Sequence, residues 1–549
     1  MTSKQWILVF KRLILVVLTV LTFLQVGFSL IQSWSEPQIS SRLELYQTNL
    51  ILHAAEWQTD SAVVVQGEAQ RSPDLIKVRN ALIGDRPFQT AQKQYQEARQ
   101  VAETSREKAQ KQLQQLASVS PTPPSETTPD LPIPLVSEAP DTSQLKKKLL
   151  LSISQLDQLI NELDLRLGVL QVHQGETDTA IKTWNQLIDR AQKQESQKVS
   201  VETAAVLVGL WSNPPRWSSD TQAQIQTNLD SWFRYRALTQ LYKLQPQQDA
   251  LAALQAKEQD IAEQAILKLG IVGGLPVAGC LLGIGLLIFT VIQLVVQGKR
   301  SLLADNATTP WSTPWDAETI WQVFILGFFF LAQLLLPTLL PLVFGVLKID
   351  PTSFDARDKA SYVLLSYLLM SGGGLFVLYL SIKPFFPLPE GWFRFQVRGN
   401  WFLWGLGGYF VALPLVILVS VINQKLWHGQ GGSNPILPIA LEGRDSIALT
   451  IFFLTASVAA PVFEEIMFRG FLLPSLTRYM PVWAAISVSG FLFAVAHLSL
   501  SEVLPLMTLG ILLGFVYTRS RNLLAPMLLH SLWNSGTLLS LFILGSGAR

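Results

Sequence analysis

Residues 460–470 have the sequence APVFEEIMFRG, which places two adjacent carboxylates and one guanidinium inside an apolar, helix-length segment. Two further polar motifs follow in apolar sequence, FAVAH at 493–497 and HSLWN at 530–534. On insertion scales a charged side chain costs ~2.5–3.5 kcal/mol at the bilayer centre, so an ionisable residue in a membrane segment indicates a functional site. The stretch from 460 to 534 therefore decides how the rest of the chain is interpreted.

The spacing of the three motifs predicts that their side chains meet. The segments on either side of Met480–Pro481 are expected to form an antiparallel helical hairpin. Glu464 lies as far before this turn as His497 lies after it, so both residues should lie at one depth. His530 and Asn534 are four residues apart and share one face of the last helix. We therefore expect these groups to converge on one buried site.

The residue types suit peptide hydrolysis, which needs an activated water, a group that handles protons and hydrogen-bond donors for the oxyanion. Glu464 can act as a general base, and His497 can orient the water or share its proton. His530 and Asn534 can donate hydrogen bonds to the oxyanion, which in other proteases contribute ~2.7–4 kcal/mol per donor.

Glu465 and Arg469 have the spacing of a helical ion pair, which would compensate one buried charge. Such a pair is often purely structural, and a single intramembrane His or Asn often only links two helices. The occurrence of all three motifs at matched depths favours a functional site over these simpler interpretations.

The motifs EExxxR, FxxxH and HxxxN, in this order and each in a membrane-type segment, resemble those of the CPBP family of intramembrane proteases. This is the CAAX-protease and bacteriocin-processing group, also called Abi. The resemblance covers residues 446–545, and Pro461 and Gly470 also fit the family pattern. It implies an intramembrane endopeptidase that cleaves a membrane-associated protein or a lipidated peptide.

The resemblance also implies residue roles. Glu464 and His497 would act on the water, and His530 and Asn534 would surround the oxyanion. Glu465 and Arg469 would then be scaffold, with Phe493 packed beside the site. The competing mechanism uses zinc or another divalent metal, because two His and one carboxylate can bind zinc with an open position. That set would be Glu464, His497 and His530, although the chain has no HExxH motif and the sequence favours water activated without a fixed metal.

The composition indicates a membrane protein. Of the 549 residues, 49% are hydrophobic and 15% are charged, against the ~25% charged residues usual in soluble domains. The net charge of +2 and the absence of a basic patch with interleaved aromatics argue against a nucleic-acid partner. With Cys280 as the only cysteine, an intramolecular disulfide is impossible.

Nine apolar segments predict an all-α, polytopic membrane helix bundle with an N-terminal helical extramembrane domain. The first, residues 13–31, is interpreted as an anchor rather than a cleaved signal peptide, because it is long and no A-x-A site follows. Lys and Arg are more frequent in alternate loops, which places the N-terminus inside and the helical domain on the opposite side. We expect a bacterial inner membrane or a thylakoid-type membrane.

These patterns divide the chain into six regions. The two extramembrane regions, residues 35–119 and 142–264, contain no residue of the three motifs. Within the first, Phe88–Ala117 is predicted to be an exposed helix, with a weak coiled coil as the alternative. The predicted boundaries are 1–34 for the anchor, 35–119 for a helical segment, 120–141 for a Pro-rich linker, 142–264 for a TPR-like region, 265–445 for preceding membrane helices and 446–545 for the catalytic core.

The TPR-like interpretation depends on the offsets of Leu167-Gly168, Gly175, Ala180 and Trp184, which match a tetratricopeptide helix pair. An ordinary helical hairpin fits them equally well. A true TPR would dock a protein partner.

Two other functions compete with the protease. A membrane scaffold or chaperone would dock partners without needing buried motif residues. A proton-coupled transporter would show internal repeats with broken helices, which the sequence lacks. The isolated His53 and His173 read as surface or packing residues, and His428 has no evident partner.

Overall fold

A computed structural model describes residues 3–34, 40–57, 72–118, 142–192, 197–306, 310–427, 431–432 and 445–545 of the chain. The predicted linker 120–141 and His428 lie outside these residues. Within the described ranges every regular element is a helix, which confirms the predicted all-α class.

The helices are numbered in chain order. The first eleven are α1 Ser3–Ser33, α2 Ser40–Ala55, α3 Ser72–Ile83, α4 Pro87–Ser118, α5 Thr142–His173, α6 Thr177–Ala191, α7 Lys198–Trp211, α8 Thr221–Asn228, α9 Ser231–Leu244, α10 Gln248–Leu269 and α11 Leu275–Gln297. The others are α12 Leu302–Asp305, α13 Ala317–Phe324, α14 Leu336–Leu347, α15 Ala356–Ile382, α16 Trp401–Trp427, α17 Ser446–Leu454, α18 Ala460–Glu465, α19 Leu473–Leu476, α20 Val482–Val495, α21 Val503–Ser520 and α22 Leu524–Gly545. Short π-helical segments at Gly270–Gly274, Ile325–Leu335, Thr455–Ala459 and Ile466–Leu472 join some of them.

The chain forms two compact units. Residues 41–270 form the helical unit, and residues 1–40 with 271–545 form the membrane unit. The division falls at Gly270, a few residues after the predicted boundary at 264.

Helix α4 in the helical unit is less exposed than its composition predicts. Ala91, Tyr95 and Ala102 are buried at heptad-like spacing, so two alanines and one tyrosine form a contact stripe in a helix with few large apolar residues. Ion pairs from α4 to α5 flank the stripe and join Arg99 to Asp164 and Arg106 to Asp157. The exposed-helix prediction is therefore wrong for this face.

Helices α5 and α6 form the predicted hairpin, with Gly175 in a left-handed conformation (φ 86°) at the turn. A Cβ atom on Gly168 would lie 2.2 Å from the indole Nε1 of Trp184, so only glycine lets that ring pack against α5. The hairpin fits both a TPR and an ordinary helical pair, and the TPR assignment stays a prediction.

His53 is fully buried in the helical unit and belongs to a polar chain rather than to the surface. Its Nδ1 lies 2.6 Å from Glu258 Oε1, and its Nε2 lies 2.8 Å from Ser231 Oγ. This chain joins α2, α9 and α10 and satisfies three buried polar side chains. The packing interpretation of His53 is right, and the surface alternative is wrong.

Eight helices among the described residues are long and apolar enough to cross a membrane, which confirms a polytopic bundle. They are Val9–Ser33, Gln248–Arg300, Ala317–Leu347, Ala356–Phe385, Trp401–Trp427, Ser446–Leu476, Leu500–Ser520 and Leu524–Gly545. The ninth predicted span, residues 482–498, forms the 14-residue helix α20. At ~1.5 Å per residue that helix is about 21 Å long, shorter than the ~30 Å hydrocarbon core.

The segment 446–476 is a single helical span of 31 residues with two π-helical interruptions. The π-helical segment Thr455–Ala459 ends just before Pro461. A proline inside a helix lacks an N–H donor and clashes with the preceding turn, so a wider winding accommodates it. The acidic pair thus lies between the two π-helical segments.

Glycines let neighbouring helices approach the acidic pair closely. A Cβ on Gly510 of α21 would lie 2.7 Å from Gly490 Cα of α20. A Cβ on Gly374 of α15 would lie 2.6 Å from the Gly327 carbonyl oxygen and 3.1 Å from the Phe463 ring. Helices α15, α20 and α21 therefore lie close to the span that carries the acidic pair.

Candidate active site

The predicted ion pair between Glu465 and Arg469 forms, and it extends to a third group. Arg469 Nη1 donates to Glu465 Oε1 over 2.8 Å, and both side chains are fully buried. His530 Nδ1 lies 2.9 Å from the same carboxylate oxygen. Glu465 therefore holds the imidazole of α22 and the guanidinium of its own helix together, which compensates its buried charge.

Arg469 is fixed on two further sides. Its Nη2 donates to the Gly510 carbonyl over 3.0 Å, a contact that depends on the glycine approach of α20 and α21. Its guanidinium carbon lies 4.6 Å from the centre of the Phe493 ring, a cation–π contact. Arg469 is therefore held by its own span, by α20 and by α21, and its scaffold role stays a prediction.

Glu464 lies beside this cluster and is partly exposed, at 14% of its side-chain surface. Its Oε1 accepts a hydrogen bond of 3.1 Å from the Tyr367 hydroxyl. Its Oε2 lies 4.0 Å from His530 Nε2 and has no hydrogen-bond partner among the described residues. One oxygen of Glu464 is thus held, and the other faces an imidazole nitrogen.

His497 is placed differently from the prediction. It follows the end of α20, and its Nδ1 lies 2.9 Å from the carbonyl oxygen of Phe493 in its own helix. The Phe493 ring contacts both imidazoles edge-on, with centroid distances of 5.0 Å to His497 and 5.6 Å to His530. His530, and not His497, is the imidazole within 4 Å of Glu464. Depth along a helix does not determine the distance between two helices, so the spacing along the chain could not rank the two histidines by their distance from Glu464.

Asn534 is held by the backbone of the same span as the acids. Its Nδ2 donates a hydrogen bond of 2.7 Å to the carbonyl oxygen of Ala456, in the π-helical segment before Pro461. One amide hydrogen is therefore committed to the fold, and the second is left for another acceptor.

The residues present do not fit the divalent metal site that the resemblance allows. Within the described part of the chain, no group of three or more His, Cys, Asp or Glu side chains converges closely enough to hold a metal ion. His497 is the member of the predicted set Glu464, His497 and His530 that stands apart, because its ring nitrogens lie beyond ion-pair distance of every described carboxylate.

Tyr367 is the residue of this site that sequence reasoning missed. It lies in α15, before the segment that carries the motifs, and a tyrosine in an apolar helix usually indicates nothing more than packing. Only the three-dimensional packing of α15 brings its hydroxyl to Glu464.

A match to a known family lies in the C-terminal part of the chain. Residues 446–536 match a family model described as type II CAAX prenyl endopeptidase Rce1-like. "Putative membrane peptidase YdiL" of Bacillus subtilis (strain 168) is 25% identical over 133 residues, covering 24% of this chain and 53% of that protein. "Membrane-embedded CAAX protease MroQ" of Staphylococcus aureus (strain USA300) is 26% identical over 137 residues, covering 24% and 54%. No solved structure matches the chain.

The chain spans about half the length of the curated relatives it matches. The matched region contains all three motifs, and these are the segments whose side chains surround the buried Glu465–Arg469 pair. The C-terminal membrane region of this chain is therefore similar to CAAX-type membrane peptidases, the group that the sequence motifs resemble.

Proposed function

We propose that the protein is a membrane-embedded endopeptidase that hydrolyses a peptide bond in a membrane-associated protein or peptide. One observation supports this most directly. Glu464 Oε2, without a hydrogen-bond partner among the described residues, faces His530 Nε2 at 4.0 Å inside an apolar helix bundle. A scaffold protein has no need to bury these groups together.

The Glu465 contact suits His530 for proton handling. If the imidazole is neutral, Nδ1–H donates to Glu465 and Nε2 carries the free lone pair. The lone pairs of His530 Nε2 and Glu464 Oε2 then face each other, and a donor with two hydrogens fits between them. A water donating to both spans acceptors roughly 4–4.5 Å apart, given ordinary hydrogen-bond lengths.

In the proposed reaction, that water attacks the scissile carbonyl carbon and gives one proton to Glu464. Glu464 later returns the proton to the leaving amine as the carbon–nitrogen bond breaks. The free amide hydrogen of Asn534 would donate to the oxyanion. His497 keeps its Nδ1 hydrogen on the Phe493 carbonyl oxygen, so its Nε2 would orient the water or share its proton rather than donate to the oxyanion. This assignment moves His530 from the oxyanion to the water.

Comparison of protein termini in membranes with wild-type or Glu464→Gln protein tests the proposal. The expected result is a membrane protein that accumulates uncut in the Glu464→Gln strain. Glu390→Gln, which changes an exposed glutamate of the same unit, serves as the matched control and should match wild type. An unchanged set of termini in the folded Glu464→Gln strain would contradict the proposal. Prenylated and unprenylated peptides offered in parallel would define the substrate class.

We also propose that the helical unit docks a protein partner or the substrate. A cavity of about 660 Å³ in this unit is lined by residues that include Arg79, Arg86, Phe88 and Gln174. Arg86→Glu in the full chain should impair cleavage of the native substrate while cleavage of a short peptide stays unchanged. Equal loss on both substrates, or no loss on either, would contradict docking at this cavity.

For topology, we propose that the N-terminus lies inside and the helical unit on the opposite side, in a bacterial inner or thylakoid-type membrane. The charge distribution of the loops supports this orientation. A cysteine at the exposed Thr104, in a Cys280→Ser background, should react with an impermeant thiol reagent added from outside. Labelling only after access from the cytoplasmic side would reverse the assignment.

A further inference from the structure

The Tyr367 hydroxyl donates a hydrogen bond to Glu464 Oε1 from a helix that lies outside the matched family region. Tyr367 is in the middle of α15, a membrane helix, and its ring is largely covered by neighbouring side chains. Its ring meets the Phe463 ring edge-on, with a centroid distance of 6.2 Å. The side chain is therefore held by packing against the residue that directly precedes Glu464.

The backbone of α15 supports this placement. Tyr367 and Gly374 are seven residues apart and so lie on the same face of the helix. A Cβ on Gly374 would lie 3.1 Å from the Phe463 ring, which is tighter than an ordinary contact. Gly374 thus lets this face of α15 approach the acid-bearing span, and Tyr367 reaches the carboxylate from two turns away.

The hydrogen bond distinguishes the two oxygens of Glu464. Oε1 accepts from Tyr367, and Oε2 faces His530 Nε2. A carboxylate held at one oxygen loses the torsional freedom that would otherwise turn the other away from its target. The ionisable groups around Glu464 are then Tyr367 from α15, His530 from α22, and Glu465 and Arg469 from its own span.

We propose that Tyr367 is a positioning residue for Glu464, which makes α15 part of the active site. This inference rests on the proposed peptidase function. By donating to Oε1, Tyr367 keeps Oε2 directed at the water and stabilises the ionised carboxylate that a general base requires. The functional site then begins in α15, before the predicted core boundary at residue 446.

The test compares the full-length Tyr367→Phe protein with wild type in a peptide-cleavage assay. Because hydrogen bonds to charged groups are among the stronger ones, we expect kcat to fall about 10–100-fold. KM should stay within about twofold, since the hydroxyl does not touch the substrate. The acidic limb of the kcat/KM profile should move to higher pH, because the carboxylate loses a donor that favours its ionised form.

Tyr379→Phe is the matched control, because it removes a hydroxyl from an exposed position of the same helix. It should leave kcat, KM and the pH profile unchanged. As a second variant, 3-fluorotyrosine at position 367 keeps the ring and the hydroxyl but makes the hydroxyl a stronger donor. It should move the acidic limb to lower pH, a sign that a packing defect would not produce.

The outcomes separate this inference from the proposed function. If Glu464→Gln is inactive while both Tyr367 variants have wild-type kcat and pH profiles, Tyr367 does not position the base. If Glu464→Gln itself cleaves like wild type, the peptidase mechanism fails first, and the role of Tyr367 fails with it.

Discussion

The side chain of Asn534 donates a hydrogen bond to the carbonyl oxygen of Ala456, to which Pro461 can supply no backbone N–H. In the preceding π-helical segment, the N–H of Ala460 bonds to the carbonyl of Thr455, five residues earlier. Continuing that pattern, the next donor would be the N–H of residue 461, paired with Ala456. Proline has no N–H, and the Nδ2 of Asn534 takes its place at 2.7 Å.

This relationship predicts that Asn534→Ala lowers both stability and turnover. A buried carbonyl left unpaired costs about 1–3 kcal/mol, and loss of an oxyanion donor costs about 10²–10³-fold in kcat. Pro461→Ala should restore the missing N–H, so the double variant should recover its melting temperature in detergent but not its turnover. Recovery of both would mean that Asn534 has only a structural role.

Glu464→Gln should retain the fold and lose most turnover. The amide is nearly isosteric and cannot take a proton from water, whereas a general base contributes about 10²–10⁴-fold. Single-turnover cleavage by protein with a wild-type melting temperature measures the effect. Wild-type turnover in this variant would remove Glu464 from the mechanism.

Arg469→Met should lower the stability of the folded protein and leave its substrate affinity unchanged. It leaves Glu465 buried without its guanidinium partner, and removing one member of a buried pair typically costs about 3–5 kcal/mol. Thermal unfolding in detergent should show a large drop, and the double variant Arg469→Met/Glu465→Leu should recover much of it. Arg394→Met, at an exposed position, provides the control. A stable single variant would show that the pair is dispensable.

The helical unit should lose stability in acid because of His173. Burial, with a smaller effect of Arg236, lowers the pKa of His173 to about 4. The unfolded chain, whose histidines have a pKa of ~6.5, then binds a proton that the folded unit does not. The stability that neutral His173 contributes to the helical unit is therefore fully present above about pH 6.5 and is lost as the pH falls toward 4.

Hydrogen exchange of the helical unit at pH 7 and pH 5 measures this loss. His173→Gln should make its stability less dependent on pH over this range, whereas His497→Gln, in the other unit, should not. An unchanged pH dependence in His173→Gln would show that other groups cause the acid sensitivity.

Chelation tests the metal-dependent mechanism. Since Glu464, His497 and His530 do not converge as a metal site, thorough chelation should leave turnover unchanged. Loss of activity that zinc restores would show that His497 moves toward the acids when the site is loaded.

Local features of the fold could be predicted from the sequence because they depend on neighbours along the chain. Apolar runs of helix length identify membrane helices, and the spacing of Glu465 and Arg469 alone suffices to predict their ion pair. The three motifs likewise identify the acids and both histidines as candidates. The prediction that α4 is exposed was wrong because alanines, which carry little hydrophobic signal, make up much of its contact stripe beside Tyr95.

Contacts between helices that are distant in sequence were decided only by the tertiary structure. The Glu465 contact of His530, the nearness of His530 rather than His497 to Glu464, and the arrival of Tyr367 all depend on helix approach. That approach is set by glycine contacts such as Gly374 with Phe463, and by the π-helical winding before Pro461. Helical periodicity fixes the face on which a residue lies, whereas the distance to a partner on another helix depends on how all the intervening side chains pack.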